Sequence, residues 1–164
     1  MQSLKGAVIL EHLRIYKISM PLIFGFMIMG IFLCLVFIMA IKQAPLVSIL
    51  GLIFSIFTIG YSIYLWRKRK EGKGFYWDDE GIVIDLKGNK VYWDEIEDIK
   101  YSNVRGMKST VIYPHYTNHE KIRIRRGKSL PTPAHSIDWI LIEKAKEYHK
   151  NLMKVWEEKN NAQK

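Results

Sequence analysis

The sequence predicts an α+β membrane protein, in which a transmembrane helical hairpin precedes a small antiparallel β domain capped by a C-terminal helix. Three observations support this prediction. Residues 18–41 and 43–66 contain no Asp, Glu, Lys, Arg or His. Residues 75–125 contain short runs in which apolar and polar positions alternate with a period of two. Residues 137–155 place apolar side chains at helical spacing.

Each apolar run is long enough to cross a bilayer, because an α-helix rises 1.5 Å per residue and needs about 20 apolar residues to span the hydrocarbon core. We assign transmembrane helices to residues 18–41 and 46–66. Lys42 and Pro45 disfavour continued helix inside the bilayer, so residues 42–45 are expected to form an interfacial turn.

A basic juxtamembrane segment at residues 67–73 predicts the orientation, because Lys and Arg near a span are enriched on the cytoplasmic side. The flank of residues 1–17 also has more basic than acidic residues, whereas the 42–45 turn has one lysine. We therefore expect both termini in the cytoplasm, an external turn, and residence in the inner or plasma membrane. The expected topology determinants are Arg67, Lys68, Arg69 and Lys70.

Two features of these segments leave alternatives open. Residues 1–17 are expected to be either an interfacial segment or a strand that docks on the soluble domain. Gly51 and Ser55 form a small-xxx-small step, which lets helix backbones approach closely within the hairpin or between two copies. Cys34 is the single cysteine, so an intramolecular disulfide is excluded, and we expect it to act as a small apolar filler.

The soluble part is predicted to be a sheet of short strands. Residues 75–77, 82–86 and 91–93 predict a three-strand meander, with polar turns between them. Residues 93–99 have a local helical spacing before the chain becomes extended again at residues 100–103.

Two further strands and a C-terminal helix are predicted after residue 103. Residues 110–113 and 121–125 are predicted strands, the first ended by Pro114. Ser136 resembles an N-cap, so an amphipathic helix is predicted over about residues 136–158.

The run FYWDDEGIVIDLKGNKVYWDEIEDI resembles the opening of bacterial pleckstrin-homology-like domains. The matching positions are Asp78, Gly81 and Ile82 in a D-x-x-G-I turn, and Trp93 and Ile96 in a W-x-x-I step. The order of flank, two spans, basic segment and domain resembles small bacterial inner-membrane proteins. The resemblance implies a cytoplasmic pleckstrin-homology-like domain over residues 74–160.

Lipid recognition does not carry over with this resemblance. Phosphoinositide-binding members have a basic pattern in the first hairpin loop, whereas here that loop is Asp78-Asp79-Glu80. The resemblance therefore gives no expectation of phosphoinositide binding.

A run of basic residues is the best candidate binding site. On a strand, Lys121, Arg123 and Arg125 would share one face, with Ile122 and Ile124 directed to the core. Anionic head groups or an acidic partner would suit this face, and a merely solvated face is the alternative. Nucleic acid is not expected, because no stacking aromatics interleave the basic residues. The candidate residues are Lys121, Arg123, Arg125, Arg126 and Lys128.

No catalytic, cofactor or metal site is predicted. His115 and His119 are four residues apart, but Pro114 disfavours the helix that would bring them together. The carboxylates at residues 78–80 and 94–98 are expected to be solvated turn residues.

These features predict a non-enzymatic integral membrane protein whose domain binds another protein or helps assembly, with a homo-oligomer as a further option. Its partners would be the lipid bilayer and a protein. The alternatives are a toxin-immunity protein, an accessory subunit of a multi-span transporter, and a membrane-bound enzyme whose site is not evident from motifs.

Overall fold

The computed structural model describes residues 14–162 and divides into two compact units. The first unit is Ile18–Gly72, which forms a helical hairpin. The second combines residues 14–17 with residues 73–162 and contains the sheets and the remaining helices.

The hairpin consists of α1 (Met20–Ala40) and α2 (Pro45–Lys70), joined by a turn over residues 41–44. A proline lies in the first turn of each helix, where its missing N–H leaves no bond unmade. Helix α2 continues four residues past the predicted end at residue 66. The basic residues therefore form its last turn, where cations are favoured by the helix dipole.

The two helices pack through a stripe of small residues on α2. A Cβ added at Gly51 would lie 2.4 Å from the Phe37 ring, and the Ser62 hydroxyl donates to the Ile23 carbonyl oxygen at 2.7 Å. The Ser55 hydroxyl donates within α2, to the Gly51 carbonyl oxygen at 2.8 Å. Gly51 and Ser55 therefore serve packing within the hairpin. The buried residues of α2 are Ser48, Gly51, Ser55, Thr58, Ser62 and Leu65.

Large apolar side chains cover the outside of the hairpin. Met39 and Phe57 are 83% and 73% exposed, and similar residues recur from Phe24 in α1 and as far as Tyr64 in α2. The hairpin thus buries small and hydroxylated residues and exposes large apolar ones, which is the reverse of a water-soluble helix pair.

The second unit begins with two short strands. Strand β1 (Tyr16–Lys17) pairs antiparallel with β2 (Gly74–Phe75). A Cβ at Gly74 would lie 2.4 Å from the Tyr16 carbonyl oxygen, so only glycine permits this approach. For these two flank residues, the strand interpretation is confirmed. Residues 1–13 lie outside the described residues.

A second pair consists of β3 (Gly81–Val83) and β4 (Lys90–Tyr92), also antiparallel. The predicted three-strand meander is only partly correct. The 75–77 segment adds a single bridge to this pair, from Trp77 to Ile82, because Phe75 pairs with β1 instead.

The largest sheet has the order β5-β6-β7, with β5 (Ile96–Val104), β6 (Met107–Pro114) and β7 (His135–Asp138) all antiparallel. A 3-10 turn, Trp93–Glu95, precedes β5 and accounts for the local helical spacing. The strands predicted at residues 100–103 and 110–113 lie within β5 and β6.

The strand predicted at residues 121–125 is wrong, because this segment forms helix α3 (His119–Arg126). The alternation of Ile122 and Ile124 suited a strand, but only Ile122 is buried. Gly127, in the left-handed conformation at φ 62°, ends the helix, as glycine commonly does.

The predicted start of the C-terminal helix is also wrong. Ser136 lies in β7 rather than at an N-cap, since its segment pairs with β6. A 3-10 turn, Trp139–Leu141, follows, and the helix α4 spans Ala145–Ala162.

Helix α4 supplies one side of the core of this unit. Tyr148 is fully buried, with its ring edge-on to Tyr16 at 5.1 Å and tilted against Trp77 at 5.4 Å. Trp156 stacks on Trp93. The fold is therefore mixed α+β, with small antiparallel sheets packed against a C-terminal helix.

Candidate functional site

Helix α3 rearranges the basic residues that a strand would have aligned. On a helix, Lys121 and Arg125 are four residues apart and share a face, whereas Arg123 lies on another. Lys128 follows the helix in a loop, beyond Gly127. The five residues therefore do not form one continuous stripe.

Arg125 contacts residues of β4 and of the 3-10 turn before β5. Its terminal nitrogens donate to the Glu95 carboxylate at 2.8 and 2.6 Å, and one also donates to the Lys90 carbonyl oxygen at 2.9 Å. The guanidinium carbon lies 4.4 Å from the centre of the Tyr92 ring, a cation–π distance. Lys121 approaches the same carboxylate at 3.5 Å.

Glu95 is completely buried, so the expectation that every carboxylate of residues 94–98 is solvated is wrong here. It also accepts the backbone N–H of Tyr92 at 3.0 Å. Burial raises the pKa of Glu95, but the hydrogen bonds from Arg125 and Tyr92 outweigh burial and hold that pKa below its usual range. Glu95 is therefore an ionised link between the 3-10 turn and α3.

Arg126 faces the other side of α3 and contacts His135 and Asp85. Its terminal nitrogens lie 2.8 Å from His135 Nδ1 and 3.6 Å from the Asp85 carboxylate. Burial, followed by the charge of Arg126, lowers the pKa of His135 to about 4. His135 is therefore neutral at pH 7 and accepts the hydrogen bond from Arg126. Within the described structure, its Nε2 has no hydrogen-bond partner.

Arg123 pairs with Glu120 one turn earlier and donates to the Lys128 carbonyl oxygen at 3.2 Å. Arg123, Arg125 and Arg126 thus each form an ion pair with a carboxylate. The accessible remainder consists of Lys121, the exposed Ile124 one helical turn later, and Lys128. We name these three residues the α3 surface.

The acidic turn before β3 is closed by hydrogen bonds and by one lysine. Asp78 accepts the backbone N–H groups of Glu80 and Gly81 at 3.1 and 3.0 Å, while Lys90 lies 2.7 Å from Asp78 and 2.8 Å from Glu80. Burial raises the pKa of Asp78, but these hydrogen bonds outweigh burial and leave that pKa below its usual range. The turn therefore places the Asp78 and Glu80 carboxylates around the ammonium group of Lys90.

His115 and His119 do not converge on a common point. His119 Nε2 lies 3.2 Å from the Pro114 carbonyl oxygen, and His115 lies 3.9 Å from Glu97. Among residues 14–162, no group of three His, Cys, Asp or Glu side chains is arranged to hold a metal ion.

A polar cluster that sequence spacing did not reveal joins β6 to α4. Thr110 Oγ1 lies 3.1 Å from His149 Nδ1 and accepts a hydrogen bond from Trp139 Nε1 at 3.1 Å. The pair resembles a nucleophile and its base, but Thr110 is fully buried, so a substrate would not reach its hydroxyl. Its partners are 29 and 39 residues away, so no local motif could indicate them.

The basic last turn of α2 also contacts aromatic rings and backbone. Lys68 and Lys70 lie 5.6 and 5.5 Å from the ring centres of Tyr64 and Trp66. Arg69 donates to the Ile18 carbonyl oxygen at the start of the hairpin. This end of the hairpin thus combines cations with amphipathic aromatic side chains.

Comparison of the chain with protein-family models, curated proteins and solved structures found no match. Three features of the chain bear on its function. The hairpin has large apolar side chains on its outside, α2 ends in a basic turn, and the second unit has a small accessible basic and apolar surface on α3.

Proposed function

We propose that this chain is a non-enzymatic integral membrane protein whose hairpin anchors a cytoplasmic pleckstrin-homology-like module that binds a protein partner. Different residues support the membrane anchor, its orientation and the type of module.

The distribution of side chains on the hairpin carries the proposal. An apolar side chain of the size of Phe57 is less stable exposed to water than buried by about 1.5–3 kcal/mol, and such residues occur along the whole outer surface. Lipid hydrocarbon removes this penalty. The buried hydroxyls of Ser55 and Ser62 donate to carbonyl oxygens, which is what polar groups require inside a bilayer.

The composition of the helix ends supports a cytoplasmic domain. The last turn of α2 contains Arg67, Lys68, Arg69 and Lys70, while the opposite turn has only Lys42. Positive charge near a span favours the cytoplasmic side, and Trp66 next to it is typical of a membrane interface.

The pleckstrin-homology-like assignment is supported by how the two motif halves meet. Trp93 Nε1 donates to the Asp78 carbonyl oxygen at 2.8 Å, and the Asp78 carboxylate accepts the Gly81 N–H. The D-x-x-G-I turn and the W-x-x-I step therefore stabilise each other. The packing of α4 on short antiparallel strands agrees with this architecture.

The α3 surface is the proposed contact for the partner. Lys121 and Ile124 lie on one helical face, and Lys128 adds a cation that forms no ion pair with any residue the structure describes. An acidic protein surface with an apolar centre would complement it. A second copy of the chain is an alternative occupant, and it would make the assembly a homo-oligomer.

Photo-crosslinking in intact cells tests this proposal. A photoreactive residue at Ile124 is expected to give one reproducible protein adduct, which mass spectrometry would identify. A photoreactive residue at Lys150, which is exposed on α4, is the matched control and is expected to give no such adduct. Lys121→Glu combined with Lys128→Glu should abolish the Ile124 adduct.

The identity of the adduct distinguishes the classes of function. A toxin would indicate an immunity protein, a multi-span protein would indicate an accessory subunit, and the chain itself would indicate self-assembly. Equal labelling from Ile124 and Lys150, or no adduct from either, would contradict a partner at the α3 surface.

A further inference from the structure

The β5–β6 hairpin ends in a tip, residues 104–108, whose apolar side chains are unusually accessible. Val104 and Met107 are paired in register and are 58% and 72% exposed. Arg105 and Gly106 form the loop between them, with φ values of 52° and 84°. Two successive positive φ values define a tight two-residue hairpin turn, so the tip is narrow and convex.

A third exposed apolar residue follows β7. Ile140 lies in the 3-10 turn Trp139–Leu141, which packs against β6, and is 68% exposed. Exposed apolar residues thus occur both at the tip and just after β7.

The charges around the tip are mainly positive. Arg105 and Lys108 are exposed, and neither forms an ion pair with another residue in the described part of the chain. The acidic side chains of the same sheet lie farther along. Asp138 is level with Ser109. Glu97 and Asp98 lie near the opposite end of β5, where Asp98 pairs with Lys100 at 2.9 Å.

We propose that this tip docks on an anionic bilayer surface, with Val104 and Met107 entering the head-group region and Arg105 and Lys108 contacting lipid phosphates. The inference rests on the proposed membrane anchoring, which keeps the domain close to a bilayer. Apolar residues flanked by cations favour such an interface, because burial and attraction to anionic lipid act together.

The shape of the tip favours lipid over a protein partner. A stable protein interface buries about 800 Å² on each partner, and its anchors fit into pockets. A two-residue turn presents a narrow, convex edge without a groove. Such an edge can enter a fluid head-group layer but offers little area to a folded protein.

Spin labelling of the full chain in vesicles tests the proposal. A nitroxide at Met107→Cys, in a Cys34→Ala background, is compared in zwitterionic vesicles and in vesicles with one third anionic lipid. In the anionic vesicles, collisions with oxygen should rise and collisions with a water-soluble nickel complex should fall several-fold. Burial against protein would reduce both, so the two quenchers together identify lipid.

Two further labels serve as controls. Tyr116→Cys, at a residue 81% exposed in another part of the domain, should remain water-accessible in both kinds of vesicle. Phe57→Cys should be lipid-exposed in both, because it lies in the hairpin. A water-accessible Phe57 label would contradict the membrane anchor itself, independently of the tip.

Several outcomes would overturn the docking proposal. One is a Met107 label as water-accessible as the Tyr116 label in anionic vesicles, while the Phe57 label is in lipid. Another is equal lipid exposure in zwitterionic and anionic vesicles, which would remove the role of charge. Arg105→Glu combined with Lys108→Glu should return the Met107 label to water. Retained lipid contact in that variant would likewise overturn the proposal.

Discussion

Arg125 donates a hydrogen bond from each terminal guanidinium nitrogen to the completely buried carboxylate of Glu95, which lies 30 residues earlier in the chain. This pair connects α3 to the 3-10 turn that precedes β5. Because the side chain of Arg125 is partly accessible, its charge remains partly hydrated, whereas that of Glu95 depends on its partners. The pair therefore holds α3 in place and orients the α3 surface.

Replacement of Glu95 by Gln should destabilise the domain, because the guanidinium group of Arg125 would lose its counter-ion. Removing one partner of a fully buried pair costs roughly 3–5 kcal/mol, and the partial exposure of Arg125 reduces our expectation to about 2 kcal/mol. Thermal unfolding of the full chain in detergent measures this change. Glu120→Gln, which removes an exposed pair with Arg123, is the control and should leave the unfolding temperature unchanged. Equal effects of the two substitutions would contradict the role of Glu95.

The buried His135 should make the domain less stable in mild acid. Its pKa is about 4 in the folded state and 6.5 when unfolded, so the unfolded state binds more protons between these values. Its contribution is complete above pH 6.5 and is lost as the pH falls towards 4. After allowance for solvent screening near Arg126, we expect a loss on the order of 2 kcal/mol.

Chemical denaturation between pH 7 and pH 4.5 measures this dependence. His135→Gln should reduce its slope, because the substituted side chain does not titrate. Part of the slope should persist, since burial also lowers the pKa of His149. The control is His115→Gln, at an exposed residue, which should keep the wild-type stability at pH 7. An unchanged slope in His135→Gln would contradict the argument.

The close approach of α1 and α2 should make Gly30 intolerant of a side chain. A Cβ there would lie 2.6 Å from the Ile59 side chain and 3.3 Å from the Ser55 carbonyl oxygen. Gly30→Ala should therefore lower the stability of the hairpin by roughly 1–3 kcal/mol through overpacking. Gly25→Ala is matched to it on the same helix, with nothing within 4 Å of the added atom.

Thermal denaturation of the full chain in detergent compares the two variants. Gly25→Ala should be neutral or slightly stabilising, because alanine favours helix more than glycine does. A Gly30→Ala variant as stable as Gly25→Ala would show that the helices do not approach each other at this point.

Gly81 should likewise be irreplaceable in the β3–β4 pair. Its added Cβ would lie 2.2 Å from the Val91 carbonyl oxygen, so Gly81→Ala must separate the two strands. We expect a loss towards the upper end of roughly 1–3 kcal/mol in the stability of the soluble unit. Gly88→Asn provides the comparison. It lies in the next turn with open space around it, and asparagine tolerates its positive φ. A smaller loss for Gly81→Ala than for Gly88→Asn would contradict the predicted separation of the strands.

The sequence was most informative for the hairpin, because uninterrupted apolar runs have few structural solutions. The predicted end of α2 at residue 66 was wrong. The four cations that follow suggested that the helix had ended, although cations are favourable at a helix C-terminus. For the soluble unit, the short alternation around Ile122 fitted a strand or a helix equally well. Gly127 and the burial of only one isoleucine decide for the helix.

The contacts of the candidate site depend on tertiary structure and could not be predicted from the local sequence pattern. In the sequence, Glu95 resembles a solvated turn residue. Its burial is explained only by its ion pair with Arg125 of α3. Similarly, Ser136 satisfies the pattern of an N-cap, but pairing with β6 places it in a strand. In both cases, contacts with residues that are distant in the sequence determine the structure.

Cysteine accessibility in intact cells tests whether the chain is a membrane-anchored domain that faces the cytoplasm. Single cysteines at Lys42 and Lys150, each in a Cys34→Ala background, would be treated with a membrane-impermeant maleimide. We expect labelling of the turn residue in intact cells and labelling of the α4 residue only after lysis. Labelling of Lys150→Cys in intact cells would contradict the cytoplasmic orientation. Release of the protein from membranes by alkaline carbonate would contradict the transmembrane hairpin.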